Sequence, residues 1–276
     1  MIVYLLQRGI KMINYKECKT RYKLNELGSL YVDESKLNPN EQPVIYIGGQ
    51  MEHRCHILEQ TGFTGDPGHN MFTGSWFYDY PVCSKHKEYF NGENFAQNLI
   101  WGLKEADLHD VILITESFGG TIAAYATQAE EVTKVIAIHP SVLGTPLANP
   151  QYVECYKHMF TNYQRAILQA LKVLINPNYG FEQDNFKGID LRKVDLNKLL
   201  VVGNYLDLST EKNPILRETY SMIKAITGRR SDGIVTFEPE VFDSLGINYL
   251  QEEQNNNHFD ASTSQNIEEA YRKVLK

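Results

Sequence analysis

The chain has 276 residues, 42% hydrophobic and 22% charged, with a formal net charge of −7 at pH 7. That length can bury one large core, and the composition is that of an ordinary soluble globular protein. The acidic balance argues against a nucleic-acid surface, and the short basic clusters Arg229-Arg230 and Arg192-Lys193 read as solvated loops.

Residues 1–19 read as an N-terminal extension. Met1-Ile2-Val3-Tyr4-Leu5-Leu6 is apolar but gives way to Gln7-Arg8, without the length or the cleavage site of a signal peptide. No later stretch approaches a membrane span. Cys18, Cys55, Cys83 and Cys155 are scattered, form no CxxC pair, and read as free thiols in a reducing compartment. These features predict a cytoplasmic protein.

Arg21-Tyr22-Lys23-Leu24 and Ser29-Leu30-Tyr31-Val32, split by a short turn, predict a hairpin at a sheet edge. Pro43-Val44-Ile45-Tyr46-Ile47 predicts a buried strand ending in Gly48-Gly49, with a helix near 51–60 after it. A strand over 75–81 precedes an amphipathic helix over 93–106, with Phe95, Leu99, Ile100 and Leu103 on one face. Strands follow at 111–116 and 132–138. The segment 150–176 predicts a helix, with Phe160, Tyr163, Ile167, Ala170, Leu171 and Leu174 at helical spacing. A strand at 199–203, a helix at 215–227 and a strand at 247–250 come next. The final helix, 263–275, is entered through Ser262 and Gln265 as a capping box.

Continuous apolar strands alternating with helices predict an α/β fold: a mostly parallel central sheet with helices on both faces. No repeat or linker divides it, so residues 20–276 read as a single domain. Residues 149–196 are long for a connection and rich in aromatics, a candidate helical cap insertion over the site or, equally, a helical excursion packed on the core. Reactive groups in such a sheet gather at the carboxyl ends of the strands.

Chemistry concentrates at Ser117. Val111-Ile112-Leu113-Ile114-Thr115-Glu116-Ser117-Phe118-Gly119-Gly120 is an apolar strand, a Ser among small residues, and the start of an Ala-rich helical run. A strand turning sharply into a helix around Ser is a nucleophile elbow, which holds one hydroxyl exposed on a strained turn. The pattern wants small residues two before and two after the Ser, and Thr115 strains that requirement without breaking it.

A Ser hydroxyl needs a base, and the base needs an orienting carboxylate. His258, in the polar loop Asn255-Asn256-Asn257-His258-Phe259-Asp260 after the last strand, is the candidate base. Two carboxylates compete to orient it: Asp232 in Ser231-Asp232-Gly233-Ile234-Val235, and Asp207 just after the strand 199–203. An oxyanion would take one hydrogen bond from the backbone N–H of Phe118 and a second from the loop Gly48-Gly49-Gln50-Met51, with Gln50 as donor. Gly49 and Met51 of that loop are the candidate substrate contacts.

With these residues in place, the chain resembles the α/β-hydrolase superfamily, and within it the lipase- and esterase-like branch. The motifs that carry the resemblance are Gly48-Gly49, Thr115-Glu116-Ser117-Phe118-Gly119, Ser231-Asp232-Gly233-Ile234-Val235 and Asn257-His258-Phe259-Asp260. Bacterial lipases of this kind place the acid in an Asn-Asp-Gly-Leu-Val type turn and the base in an Asn-His-Leu-Asp type loop, so the resemblance favours Asp232 over Asp207. His139-Pro140-Ser141-Val142-Leu143-Gly144-Thr145-Pro146 also resembles a stretch of such lipases, where His139 reads as structural. The sequence departs from the pattern at Gly48, Thr115 and Glu116, where His, Gly and His are frequent.

What the resemblance implies is a serine hydrolase cleaving small-molecule acyl esters through an acyl-enzyme. Thioesters, amides and acyl transfer are served by the same triad, and a non-catalytic binding protein on the same fold is the alternative of another class. No cofactor is expected. Some relatives bind calcium, but here only Asp260 and Asp207 are on offer, and two Asp do not make a site. Met51-Glu52-His53-Arg54-Cys55-His56 lacks a partner cluster for zinc and reads as a helix start with surface His. No metal is therefore expected.

Overall fold

The computed structural model describes residues 20–25, 28–32, 37, 40–49, 76–80, 91–148, 154–175, 187–252 and 257–258. The strands are β1 (Thr20–Asn25), β2 (Gly28–Val32), β3 (Val44–Ile47), β4 (Trp76–Asp79), β5 (Val111–Glu116), β6 (Val132–Ile138), β7 (Leu199–Gly203) and β8 (Asn248–Gln251). The helices are α1 (Gly92–Glu105), α2 (Phe118–Ala126), α3 (Asn162–Ile175), α4 (Pro214–Thr227) and α5 (Pro239–Leu245).

Among the described residues the strands form one eight-stranded sheet in the order β1-β2-β4-β3-β5-β6-β7-β8. The pairs β1·β2 and β2·β4 are antiparallel, and every pair from β4 to β8 is parallel. The expected hairpin is therefore the edge of a mostly parallel sheet. β5 is buried along its whole length and apolar from Val111 to Ile114, as a central strand covered on both faces must be. Its odd residues Val111 and Leu113 join one core with Val135, Ala137 and Val201, while Ile112 and Ile114 join the opposite cluster with Tyr46, Phe77, Ile136 and Val202. That division is the two-residue period of a strand.

The first face is covered by α1 and α2. Phe95, Leu99 and Leu103 recur every four residues, which puts them on one stripe of α1, and all three are fully buried. Asn91 caps that helix by accepting the N–H of Asn94 at 2.7 Å. Asn213 does the same for α4, accepting from Ile215 and Leu216, with Pro214 at the first turn and Gly228 left-handed at the end.

Two expectations are corrected. The helix expected over 150–176 is interrupted: 154–156 and a 3₁₀ turn at Lys157–Met159 precede α3. The cause is a capping box, Thr161 Oγ1 accepting the N–H of Gln164 at 3.1 Å while Gln164 Oε1 accepts the N–H of Thr161 at 3.0 Å. Phe160 and Ile167 are buried there, but Tyr163 is exposed, and the side chains of Ala170, Leu171 and Leu174 fall outside the described ones. Conversely α5 was not expected. It has two turns and one buried anchor, Phe242, too few for a visible period, though Pro239 and the left-handed Gly246 mark its ends.

α3 and α4 share a separate apolar cluster with Leu206, Ile234 and Val235. The helices expected near 51–60 and 263–275 lie outside the described residues, as does the extension 1–19. Three of the four residues in the basic clusters Arg229-Arg230 and Arg192-Lys193 are ion-paired: Arg230 with Glu238 and Glu240, Arg192 with Asp190, and Lys193 with Glu93. Cys155 is a free, exposed thiol. No helix among the described residues is long and apolar enough to cross a membrane.

The passage from β5 into α2 is tightly packed against the end of β3. A Cβ on Gly119 would lie 2.3 Å from the Ile47 carbonyl oxygen and 2.7 Å from that of Gly48. Both obstacles are backbone, so the sheet itself would have to shift. Gly119→Ala is expected to cost about 1–3 kcal/mol, the usual range for overpacking, read as a lowered midpoint in thermal unfolding by calorimetry.

Candidate active site

Ser117 links β5 to α2 with φ 51° and ψ −122°, a left-handed conformation that is costly for a residue with a side chain. Its N–H donates to Ile138 O at 3.0 Å, and its carbonyl accepts from Gly120 at 3.0 Å. Pinned on both sides, the turn turns the Ser side chain out of the otherwise buried β5–α2 passage. Ser117 is only partly buried, whereas its neighbours on both sides are buried.

Asp232 sits in the turn between α4 and α5 and has no exposed surface. Its Oδ1 accepts the backbone N–H groups of Ile234 at 2.9 Å and Val235 at 2.8 Å, an Asx turn made by its own chain. Gly233 makes this possible: its φ is +99°, and a Cβ there would meet Leu216 at 2.9 Å. The Asp232 carbonyl also accepts the N–H of His258 at 3.3 Å, which brings the terminal loop to the turn.

Ser117 Oγ lies 3.0 Å from His258 Nε2, and His258 Nδ1 lies 2.8 Å from Asp232 Oδ2. Three side chains spread over 141 residues of sequence thus form one hydrogen-bonded run. Asn257 is latched beside it, its Nδ2 donating to Glu211 at 3.0 Å. Asp207, the competing carboxylate, is exposed and accepts from the N–H and hydroxyl of Ser209 at 2.9 and 2.7 Å.

A second imidazole reaches the same oxygen. His139 stands at the carboxyl end of β6, left-handed at φ 45°, with its N–H on Val202 O at 2.7 Å. Its Nδ1 is 2.7 Å from Asp232 Oδ2 and its Nε2 is 2.9 Å from Glu252 Oε2. Burial opposes a charge on this ring, but the hydrogen bonds to Asp232 and Glu252 outweigh it and push its pKa up to about 10. Both ring nitrogens then carry protons and both donate. Burial likewise opposes charge on Asp232, yet attraction to His258 and hydrogen bonds from His139 and His258 hold its carboxyl well below the usual range.

Sequence reasoning read His139 as structural and passed over Glu252. A lone Glu in the run Gln251-Glu252-Glu253 carries no signal; only the pairing of β7 with β8 brings it to His139. The cluster His139, Asp232 and His258 could suggest a metal site, since its ligand atoms lie within 4.8 Å of one another. The distances argue otherwise. Nitrogen and oxygen 2.7 and 2.8 Å apart are in direct hydrogen-bond contact, closer than ligands spread tetrahedrally at about 2.0–2.2 Å around one zinc ion.

The loop after β3 is held from two sides. Fully buried Tyr80 donates its hydroxyl to Gly48 O at 3.1 Å, and buried Glu116 accepts the Gly49 N–H on Oε2 at 3.2 Å. A Cβ on Gly49 would meet Glu116 Oε2 at 2.8 Å and Ser117 Cβ at 3.1 Å, so this backbone touches the end of β5 and Ser117. Phe118 is buried as the first residue of α2. Gln50, Met51 and Asp260 lie outside the described residues, as does the stretch 51–56 considered for zinc.

No protein-family model matches the sequence, and no curated protein does. Solved structures do resemble the fold. The mature form of Bacillus licheniformis lipase BlEst2 is 14% identical, with a TM-score of 0.50 over 87% of this chain and 94% of that one. The esterase EaEST from Exiguobacterium antarcticum is 15% identical, with a TM-score of 0.51 over 93% of this chain and 99% of that one. At that identity the likeness is one of fold.

The charge on His139 has a pH signature. A raised pKa stabilises the folded state fully below the ordinary value of 6.5, and that contribution is lost as pH rises through about 10. Asp232 has the opposite sign, its contribution present above the ordinary 3.8 and lost as pH falls. The urea midpoint is therefore expected to decline on the alkaline side up to about pH 10, and His139→Asn is expected to flatten that limb.

Proposed function

We propose that this chain, which has the α/β-hydrolase fold, is a serine hydrolase that cleaves small carboxylic esters through an acyl-enzyme intermediate. The observation that carries the reading is the run from Ser117 Oγ to His258 Nε2 and on to Asp232, at 3.0 and 2.8 Å, beginning on a left-handed turn between strand and helix.

In this reading the Ser117 hydroxyl donates to His258 Nε2, and His258 Nδ1–H donates to Asp232 Oδ2. Attack of Oγ on the ester carbonyl transfers the hydroxyl proton to Nε2 and creates an oxyanion. Asp232 holds the ring in the productive tautomer and stabilises the imidazolium. The oxyanion takes one hydrogen bond from Phe118 N–H. The second falls to Gln50, because the N–H of Gly49 already serves Glu116. His258 then returns its proton to the departing alkoxide, and the same base activates water to release the acid. Gly49, packed against Ser117, and Met51 line the substrate.

The test is covalent labelling with a fluorophosphonate probe, followed by hydrolysis of p-nitrophenyl esters of rising chain length beside thioester and anilide substrates. Labelling is expected at Ser117 and is expected to vanish in Ser117→Ala. Ester kcat should fall about 10⁵–10⁶-fold in that variant and about 10⁴-fold in Asp232→Asn, which leaves the geometry but supplies the wrong tautomer. A folded wild-type protein that neither labels nor turns over any of these substrates would remove the proposal, and faster thioester or anilide cleavage would reassign the substrate.

A further inference from the structure

Resting on that reading of Ser117, His258 and Asp232, we infer that His139 and Glu252 are positioning residues whose buried ion pair sets the basicity of His258 through Asp232, the carboxylate that His139 and His258 share. The motivating geometry is unusual. One oxygen, Asp232 Oδ2, faces two imidazole nitrogens at 2.7 and 2.8 Å, while the far nitrogen of His139 faces Glu252 at 2.9 Å. His139 and Asp232 are each 1% exposed and Glu252 10%, so water does little to screen them.

The groups facing His139 among the described residues are Asp232 from the turn after α4, Glu252 from the end of β8, and His258 from the terminal loop. β7 contributes the Val202 carbonyl and Gly203, which bring no charge. With a charged His139 the three anchoring groups sum to one net negative charge. Delete the imidazolium alone and two carboxylates remain to stabilise a protonated His258. Delete Glu252 as well and the sum returns to one.

The ring centroids of His139 and His258 are 6.2 Å apart. At that distance and an effective dielectric of about 20, a unit charge shifts a pKa by about two units, with longer paths through Asp232 giving somewhat less. The cation thus offsets the charge of one of the two carboxylates it bridges. It also saturates Oδ2, so that the carboxylate cannot swing from the ring it orients.

The chosen variant is His139→Asn. Asn tolerates the left-handed backbone of this position, and its amide can replace Nδ1 as a donor to Asp232, so the charge goes while that hydrogen bond stays. Two readouts are followed in His139→Asn and in His139→Asn/Glu252→Gln. One is the acid limb of kcat/KM for a p-nitrophenyl ester. The other is the His258 titration by nuclear magnetic resonance of ¹⁵N-histidine protein, which needs no turnover.

Both midpoints are expected to rise by about one to two pH units in the single variant and to return most of the way in the double. Midpoints that stay put in the single variant, or that rise equally in the double, overturn the inference. If the variants fail to fold, the wild-type spectrum decides: His139 should carry protons on both ring nitrogens at neutral pH, and one proton only would overturn it. Absence of esterase activity with the expected His258 shift would sink the hydrolase reading and leave the electrostatic coupling standing.

Discussion

A carboxylate without exposed surface must satisfy two oxygens and one negative charge from protein groups alone, and the residues around Asp232 are arranged by that requirement. Oδ1 is filled by two backbone N–H groups of its own turn, and Oδ2 by two imidazoles that come from elsewhere in the chain. Each half has a different consequence. The Asx turn fixes where the carboxylate points, because it is local and rigid. The imidazole pair fixes what the carboxylate holds, tying the end of β6 and the terminal loop to the same atom.

The parallel sheet makes this convergence possible. Ser117 follows β5, His139 follows β6 and Glu252 follows β8, so each leaves the sheet at the same, carboxyl edge. The registers β5·β6 and β6·β7 are fixed by apolar residues buried on both faces, where a one-residue slip would turn core side chains over, and β8 pairs with β7 at the sheet edge. The core therefore positions the polar cluster, although no core residue takes part in it.

How far the site was legible follows from the range of the forces involved. The Ser117 turn could be read directly, because its signal is local: an apolar strand, small residues and an Ala-rich helix are adjacent in sequence. The choice between Asp232 and Asp207 could not be made from the residues alone. Both follow polar turns, and what separates them is burial and contact with a loop 26 residues away. The resemblance favoured Asp232, and the hydrogen bonds from His258 go there. His139 and Glu252 were out of reach for the same reason, since they meet across 113 residues through strand pairing. At element level the same rule holds: long strands and the stripe of α1 were visible, whereas α5 and the break before α3 depend on single anchors and caps.

The departures around the elbow become intelligible once the contacts are known. The pattern asks for small residues on both sides of the Ser, but the steric demand is unequal. At Gly119 and Gly120 an added Cβ would strike the Ile47 carbonyl at 2.3 Å and Pro140 Cβ at 2.5 Å, so no side chain fits there. Position 115, on the strand side, accepts Thr with full burial, at the cost of a hydroxyl with no hydrogen-bond partner among the described residues. Glu116 is not a neutral change either, since its carboxylate takes the N–H of Gly49 and Tyr80 takes the carbonyl of Gly48. The loop is clamped by an acid from the end of β5 and a phenol from the end of β4. The loop's backbone is thereby set against Ser117 by side chains from the strands on either side of it.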